Sequence, residues 1–324
     1  MTLRSLLSTL ADGEFHSGQA LGEALGVSRA AIWKQLKKLD ELGVRLHSVK
    51  GRGYRVAGGL DLLDPQRIEA GLEDGVRARL GPIALALSLP STNEAALQGS
   101  AQGGGGGRLY LAERQTAGKG RRGRTWVSPF ARNLYFSLVW DFAGGAAALE
   151  GLSLVVGLAV RHGLMDSGVE GIDLKWPNDL LVDGRKLGGI LLEMTGDASG
   201  QCQVVIGVGI NVAMPDEVAA EIDQPWIDVR TAGGVSPGRN LLLAAVLNRL
   251  VPSLERFSEQ GFASFRAEWE ACNAHQGRQV VLQTSRVQIQ GRCLGVDDKG
   301  ALLLETEDGV QACHGGELSL RGLE

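Results

Sequence analysis

The chain has 324 residues, of which 44% are hydrophobic and 22% charged, and a formal net charge of −4. A chain of this length is too long to fold around a single small hydrophobic core, so two or three domains are expected. No stretch approaches the ~18 to 20 uninterrupted apolar residues that a bilayer span needs. The amphipathic N-terminus has no small-residue cleavage site, so it is predicted to be a structural helix and not a secretion signal. We therefore expect no membrane contact.

The four cysteines stand far apart in the sequence, at positions 202, 272, 293 and 313, and no C-x-x-C pair occurs. This spacing argues against a protein metal site and against a disulfide framework. It predicts a chain that works in the reducing cytoplasm, with each cysteine acting as a small apolar side chain.

Charge is distributed unevenly along the chain. Residues 1–57 contain nine Lys/Arg against five Asp/Glu, a net of +4, which leaves 24 basic and 32 acidic residues, a net of −8, for the rest. A basic head on an acidic body suggests that only the head meets a polyanion.

The first 58 residues have the pattern of a winged helix-turn-helix. Leucines at 3, 6, 7 and 10 form one helical stripe, and Ser17 and Ser28 are plausible N-caps of two further short helices separated by Gly26. The glycine-punctuated basic segment 50–53 lies between two short apolar runs, which predicts a hairpin, the wing.

The third helix and the wing carry the residues expected to bind DNA. They are Ser28, Arg29, Lys34, Lys37, Lys50 and Arg52. Such cations neutralise phosphates, which gives affinity without sequence information. A helical protein-interaction module with a solvated charged face is the alternative. Trp33 occupies an unusual place, early in the presumed recognition helix, where it could pack instead of reading a base.

The body begins after residues 57–59. Pro65 follows a capping Asp64 and predicts the start of a helix that extends to Leu80. Gly81-Pro82 then breaks the helix, and the alternation from Ile83 to Leu89 predicts a strand.

A glycine- and arginine-rich loop is the most distinctive segment. Between residues 113 and 126, glycines at 118, 120 and 123 permit close approach of a ligand to the backbone, and Lys119 and three arginines supply positive charge. Trp126 could stack on a purine or close an apolar wall. Neither the P-loop nor the Rossmann dinucleotide fingerprint occurs, and a basic RNA-binding loop would be unexpected in an acidic body.

Two further segments carry polar residues beside predicted strands. Asp183-Gly184 between apolar runs predicts a hairpin that leaves Lys186 at a strand entrance, where its charge could meet an anionic intermediate. Asn211 lies near the end of the predicted glycine-containing strand Val204 to Val212 and can pair with an adenine edge. Each of these residues has a simpler interpretation when it is taken singly. Asn178 could form a turn, Lys186 could be an exposed cation, and Asn211 could cap a strand.

Taken together, these segments resemble the biotin protein ligases. The resemblance rests on Ser91-Thr-Asn93, Gln115, the loop from Gly118 to Arg124 with Trp126, Lys175-Trp-Pro-Asn-Asp179, Lys186-Leu-Gly-Gly189, Gly207-Val-Gly-Ile-Asn211 and Gly315-Gly-Glu-Leu-Ser319, in that order. The winged helix in front is similar to that of the bifunctional members, which are also biotin operon repressors.

The resemblance implies a mixed α/β (α+β) fold in three domains. Residues 1–58 would form the winged helix-turn-helix, residues 60–270 a mixed-sheet catalytic domain with helices on one face, and residues 272–324 an SH3-like small barrel. A helix at 146–165 would cover the sheet. Short strands at 280–282, 287–294 and 301–305, separated by turn residues, support the last domain independently.

The resemblance also implies roles for the site residues. The expected biotin-binding residues are Ser91, Thr92, Asn93, Gln115, Gly118, Lys119, Gly120, Arg121, Lys186, Gly188 and Gly189. Those expected to bind ATP or the adenylate are Arg121, Arg124, Trp126, Asn178, Lys186 and Asn211. Arg121, Lys186 and Asp179 would be catalytic. The implied substrates are biotin and ATP with Mg²⁺, and the implied partners are a biotin carboxyl carrier protein, operator DNA and a second copy of the chain.

Two departures and two rival functions accompany the resemblance. The family loop usually begins Gly-Arg-Gly, whereas this chain has Lys119 in place of the arginine. Lysine keeps the charge but lacks the guanidinium that forms bidentate hydrogen bonds. Trp33 stands where close relatives have a polar residue. A lipoate or octanoate ligase on the same fold, or a non-enzymatic transcription factor that senses a metabolite, would be the alternatives.

Overall fold

The computed structural model describes residues 3–196, 200–220, 222–233, 238–283, 287–314 and 319–322. The N-terminal domain consists of three helices and an antiparallel two-stranded wing, as predicted. These elements are α1 (Leu3–Leu10), α2 (Gly18–Leu25), α3 (Arg29–Glu41), β1 (Leu46–Val49) and β2 (Gly53–Val56).

Local capping explains where these helices begin and end. The hydroxyls of Ser17 and Ser28 accept hydrogen bonds from backbone N–H groups three residues later, at 3.0 and 3.3 Å, as N-caps do. Gly26 takes the left-handed conformation that ends α2. Both N-caps inferred from the sequence are confirmed.

The segment that joins the first two domains is hydrogen-bonded at both ends. Leu60 N–H donates to the carbonyl of Ala11 at 3.0 Å, which holds one end to the N-terminal domain. At the other end, Leu63 N–H donates to Glu113 at 2.7 Å and Asp64 N–H donates to Asn240 at 2.7 Å. The connection is therefore part of the folded structure and not a loose tether.

A seven-stranded mixed sheet forms the centre of the molecule, in the order β3-β4-β5-β9-β8-β7-β6, with β3 and β4 parallel and the other neighbours antiparallel. The strands are β3 (Ile83–Ala86), β4 (Leu109–Ala112), β5 (Leu134–Phe142), β6 (Ile172–Lys175), β7 (Asp179–Val182), β8 (Arg185–Gly196) and β9 (Cys202–Ile210). The predicted mixed sheet is confirmed. Asp183 and Gly184 both have positive φ, of 50° and 72°, as the predicted hairpin requires.

The helices of this domain differ from the prediction in two places. The helix expected from Pro65 to Leu80 is two helices, and a short turn of 3₁₀-helix followed by Gly151 with a φ of 81° replaces the start of the helix expected at 146. The helices are α4 (Pro65–Ala70), α5 (Asp74–Arg79), α6 (Thr92–Ala101), α7 (Leu152–Asp166), α8 (Asp216–Ala219), α9 (Val229–Gly233), α10 (Arg239–Gln260) and α11 (Arg266–Ala271).

Helices cover both faces of the sheet, so the expectation of helices on one face was wrong. Alternate residues of each strand point to opposite faces. One set packs with the largely buried α7 and α10 in the main core, whereas Tyr110, Val139 and Val205 pack with Ala96 of α6 in a separate cluster. The segment Ala146–Asp166 is apolar and long enough to cross a membrane, but 56% of its 18-residue apolar window is buried inside the protein, as in a core helix.

The C-terminal residues form a five-stranded antiparallel sheet, in the order β13-β12-β11-β10-β14. Its strands are β10 (Gln279–Gln283), β11 (Gln288–Val296), β12 (Leu302–Thr306), β13 (Gly309–Cys313) and β14 (Ser319–Gly322). The three strands predicted here are present with shifted ends. Most of the closing motif, residues 315–318, lies outside the described residues.

A buried ion pair holds the start of α10 to the sheet. Arg239 and Glu113 are each almost fully buried, and their charged atoms lie 2.6 Å apart. Arg239 also donates to the backbone carbonyl of Asn133 at 3.0 Å. Removing two charges from water costs free energy, and only their mutual attraction offsets that cost. Loss of either charge would therefore leave the other buried without compensation.

We expect Glu113→Gln to destabilise the protein by about 3–5 kcal/mol, because it leaves the Arg239 guanidinium buried without its counter-charge. Urea denaturation would measure the change. Arg249→Gln is the matched control, because the Arg249–Asp166 pair is about half exposed and should contribute at most about 1 kcal/mol. Equal losses in the two variants would contradict the assignment.

Candidate functional site

The floor of the candidate site is a flat patch on the α6 side of the central sheet. Gly207 and Gly209 alternate along β9, and their missing side chains leave room for two others. The side chain of Asn93 lies against Gly207, and the indole of Trp126 lies against Gly209. Any larger residue at either glycine would displace these side chains.

A buried chain of polar side chains borders this floor. Thr92 at the start of α6 donates to Oε1 of Gln115, at 2.8 Å from its backbone N–H and 3.2 Å from its hydroxyl. The Gln115 amide donates to Ser128 Oγ at 3.2 Å. Ser137 of β5 lies within 2.8 Å of the Thr92 hydroxyl and 2.6 Å of the Asn93 carbonyl oxygen. The site thus holds amide and hydroxyl groups that could replace their present hydrogen bonds with hydrogen bonds to a polar ligand.

Asn93 is committed to the protein itself. Its amide nitrogen donates to the Glu193 carboxylate at 2.7 Å and to the Leu191 carbonyl at 3.2 Å. Two hydrogen bonds use both amide protons. Asn93 therefore joins α6 to β8 at the floor, in addition to any role toward a ligand.

The glycine- and arginine-rich loop closes over the floor as a compact structure. Trp126 N–H donates to the Gly118 carbonyl at 2.9 Å, and Gly120 N–H donates to the Arg124 carbonyl at 2.7 Å. A single 3₁₀ turn, Arg121–Gly123, forms the tip. Lys119, the departure from the family pattern, is exposed and lies 3.4 Å from the Glu94 carboxylate of α6.

Gly118 is the position in this loop that least tolerates a side chain. A Cβ there would lie 2.5 Å from the Trp126 carbonyl oxygen and 2.9 Å from Ser128 Oγ, whereas at Gly120 the nearest atom would be 3.4 Å away. Contacts under 3.0 Å with backbone force the loop to shift. The two glycines therefore offer a matched pair of substitutions.

The resemblance implies that this loop covers biotin, so a loop forced to shift at Gly118 would fit its ligand less well. We therefore expect Gly118→Ala to weaken biotin binding roughly 5- to 150-fold, because overpacking of this kind costs about 1–3 kcal/mol. Isothermal titration with biotin would measure the affinity. Gly120→Ala should bind within about twofold of the unsubstituted protein, because an alanine there meets no close backbone atom. Indistinguishable affinities for the two variants would show that ligand binding does not depend on the absence of a side chain at Gly118.

Positive and negative side chains meet at one corner of the floor. Lys186 Nζ lies 2.8 Å from an oxygen of Asp179, and both side chains are about 15% exposed. Arg121 donates to the Asn178 amide oxygen at 3.2 Å. Burial lowers the pKa of Arg121 from its ordinary value, and the nearby Asp179 carboxylate opposes that change. The three residues predicted to be catalytic thus lie together.

Trp126 connects this corner to the floor. The Lys186 ammonium lies 5.5 Å from the centroid of its ring, within the range of a cation–π contact. The indole N–H is buried and has no hydrogen-bond partner. A buried donor without a partner is costly, so a ligand that supplies an acceptor there would be stabilised.

The structure places the remaining predicted residues more variably. Asn211 donates through its amide to the carbonyls of Lys186 and Ile227, at 3.3 and 3.2 Å, so both of its amide protons support the backbone around Lys186. Ser91 is buried as the N-cap of α6, and Gly188 packs against the Gly209 carbonyl. Arg124 is exposed and directly follows the 3₁₀ turn at the tip of the loop.

Some residues of the site gave no signal in the sequence. Ser128, Ser137 and Glu193 complete the polar chain, yet none stands in a glycine- or arginine-rich segment. Ser137 lies within the apolar strand β5, and a buried polar residue at an inward position of a strand is the pattern that could have identified it.

The residues predicted to bind DNA lie on α3 and the wing of the N-terminal domain. Arg29 and Lys34 are exposed on α3, and Lys50 and Arg52 are exposed on the wing. Three of the assigned side chains also have contacts within the domain. Ser28 caps α3, Arg52 stacks 4.2 Å from the Phe15 ring centroid, and Lys37 stands 3.8 Å over the Trp33 ring.

Three segments of the chain match known families. Residues 2–55 match the HTH domain, residues 87–211 the Biotin/lipoate A/B protein ligase family, and residues 275–321 the Biotin protein ligase C terminal domain. The order of the three matches is that of the three regions described above.

Similar proteins extend over nearly the whole chain. The chain is 42% identical over 322 residues to the Bifunctional ligase/repressor BirA of Salmonella typhimurium, covering 99% of this chain and 98% of that protein. It is 38% identical over 239 residues to the Biotin--[acetyl-CoA-carboxylase] ligase of Paracoccus denitrificans, covering 72% of this chain and 98% of that protein. A solved biotin protein ligase of Aquifex aeolicus, in complex with biotin and ATP, matches with a TM-score of 0.65 and 30% identity, over 75% of this chain and 100% of that one.

Proposed function

The chain belongs to the biotin protein ligase family in its bifunctional ligase/repressor form, and from that premise we propose how its site makes and uses biotinyl-5′-AMP. The activity is that of an ATP-dependent biotin ligase and a DNA-binding repressor. Its substrates are biotin and ATP, and its acceptor is a lysine of a biotin carboxyl carrier protein.

The observation that carries the proposal is the buried polar chain beside a flat glycine floor. Thr92, Gln115 and Ser128 present donors and acceptors next to one another, which suits the N–H and C=O groups of the biotin ureido ring. The apolar body of biotin would lie on the glycines under the loop. A lipoyl or octanoyl group has no polar ring to satisfy these groups, which favours biotin over the rival substrates.

The charged corner would perform the first half-reaction. The biotin carboxylate attacks the α-phosphorus of ATP, so that a C–O–P linkage forms, the bond to pyrophosphate breaks, and biotinyl-5′-AMP results. Arg121 and Lys186 would neutralise the two anions as they approach, and the exposed Arg124 would bind phosphate. The carboxylate is itself the nucleophile, so catalysis rests on positioning and charge.

The second half-reaction would use the same corner. The acceptor amine attacks the activated carbonyl carbon, the C–N bond forms, and AMP leaves with the C–O bond electrons. When Lys186 turns toward the phosphate, the Asp179 carboxylate is released to orient the acceptor amine and to take its proton. Asn178 keeps Arg121 in place. Asn211 supports the backbone around Lys186 through its amide nitrogen, so only its amide oxygen would be left to accept a hydrogen bond from the adenine amino group.

Magnesium would enter with the nucleotide. Among the residues that the structure describes, no three His, Cys, Asp or Glu side chains cluster to hold a metal ion. Phosphate oxygens and water satisfy Mg²⁺ in many nucleotide sites. We therefore assign Mg²⁺ to the ATP substrate and place the reaction in the cytoplasm, where both are abundant.

One assay tests the ligase proposal. Purified protein with ATP, Mg²⁺ and biotin should yield biotinyl-5′-AMP by mass spectrometry, and addition of a biotin carboxyl carrier domain should convert it to biotinylated carrier and AMP. Lipoate and octanoate in place of biotin are the controls. A lipoyl or octanoyl adenylate formed at least as fast as the biotinyl one would refute the assignment of the substrate.

The repressor function would be coupled to the same intermediate. Adenylate that orders the loop and favours a homodimer would bring two winged helices onto a two-fold operator. Carrier protein would reverse this by consuming the adenylate. Sedimentation with and without biotin and ATP tests the dimer, and gel-shift on the promoter DNA of the protein's own gene tests the coupling. Unchanged mass and unchanged DNA affinity would refute the coupling and leave the ligase intact.

A further inference from the structure

Trp33 of the recognition helix is a large apolar side chain with no place in the core. It is 54% exposed, whereas Trp176 and Trp269 are each 1% exposed. The inward face of α3 is already occupied by Ile32, Leu36 and Leu39. Trp33 is therefore not a core residue, and the exposed part of its ring needs another explanation.

The surroundings of Trp33 are those of the predicted DNA face. Arg29, Trp33 and Lys37 are spaced by four residues and lie on one side of α3, and all three are exposed. The Lys37 ammonium covers one face of the indole, 3.8 Å from the ring centroid. The ring also lines a concave site of about 400 Å³ with Ala30 and Tyr54. The indole thus has the Lys37 ammonium over one face and borders a concave site that Arg29 also lines.

A helix-turn-helix inserts the first turns of its second helix into the major groove. Cations that contact phosphates give affinity without sequence information, so sequence must be read by contacts to base edges. In the major groove the one apolar group that marks a base pair is the C5-methyl of thymine. An apolar surface at the centre of a basic helix face fits that group better than it fits any other base edge.

We propose that Trp33 is a specificity-determining residue for DNA, which selects operator sequences by contacting a thymine methyl group in each half-site. This inference rests on the proposed DNA-binding function of residues 1–58. Lys37 positions the indole for that contact and reduces its freedom before binding. The operator read by this chain then differs at that base pair from operators read through a polar side chain at this position.

The test begins with the full chain, biotin, ATP and a randomised duplex DNA library, from which bound sequences are selected. In the selected site, each thymine is replaced singly by uracil, which removes only the methyl group. We expect one thymine per half-site at which uracil weakens binding by about fourfold, the effect of burying one methyl group. In Trp33→Ala this preference should disappear, while biotin ligase activity is retained because Trp33 lies outside that site.

Lys34→Ala is the matched control, because loss of a phosphate contact should weaken binding to the thymine and uracil duplexes by the same factor. A thymine preference that survives in Trp33→Ala, or no thymine preference in the unsubstituted protein, would overturn the inference. If the unsubstituted protein selects no sequence at all, the DNA-binding proposal itself fails, and the two failures are thereby distinguished.

Discussion

We expect Lys186→Ala to lose adenylate synthesis by about 100- to 1,000-fold, the effect of removing one charge-stabilising donor from a reacting centre. Lys186 is the mostly buried cation at the corner where two anions must meet, and its removal would leave the negative charge of Asp179 without its ion-pair partner. That charge would repel both the carboxylate and the phosphate. Biotin-dependent exchange of labelled pyrophosphate into ATP measures the first half-reaction directly.

The neighbour on the same strand supplies the control. Arg185 is more exposed and lies 3.5 Å from Asp183 in the hairpin turn, away from Asp179. Arg185→Ala should keep pyrophosphate exchange within about twofold, as expected for an exposed ion pair. Normal exchange by Lys186→Ala would remove this lysine from the mechanism. Transfer from chemically prepared biotinyl-AMP shows whether the loss is confined to adenylation.

The second large effect is expected at the tip of the loop. Arg121→Ala should release biotinyl-5′-AMP roughly 10- to 150-fold faster, because a charge-assisted hydrogen bond contributes about 1.5–3 kcal/mol. Arg121 connects the loop to Asn178 at 3.2 Å, across the floor where the intermediate would lie. Without that connection the loop would no longer retain its ligand. Free adenylate in the filtrate after rapid ultrafiltration is the readout.

Arg122→Asn is the control for Arg121. Arg122 is exposed, has a φ of 57° that asparagine tolerates, and donates to the backbone of the C-terminal sheet at Gln283. We expect it to retain the adenylate as the unsubstituted protein does. If Arg121→Ala holds biotinyl-AMP as tightly as this control, the retaining role assigned to Arg121 is refuted.

Much of the fold could be predicted because local signals agreed with it. Ser17, Ser28 and Asp64 stand as helix caps, and Asp183-Gly184 forms the hairpin that its sequence predicted. The prediction of one helix from Pro65 to Leu80 failed because of a tertiary contact. Gly71 ends α4 early against the Ala244 side chain of α10, a neighbour more than 170 residues away in sequence.

The site was predicted unevenly for the same reason. Charged residues in conspicuous motifs, such as Arg121 and Lys186, could be found, because their spacing and composition stand out. Ser137 and Glu193 could not, because their importance arises from strand register and from contacts with Asn93. Nothing in a single sequence states that α6 packs on the opposite face of the sheet from α7, and that placement creates the floor.

The hydrogen-bonded segment between the first two domains has a consequence for operator geometry. Because Leu60 is held by Ala11 and Leu63 by Glu113, the two winged helices of a dimer could not swing to reach half-sites at arbitrary separations. The distance and angle between the two winged helices would therefore be fixed. Each base pair inserted between half-sites turns one of them by about a tenth of a helical turn. Binding should therefore fall sharply with such insertions and recover only when a whole turn has been added.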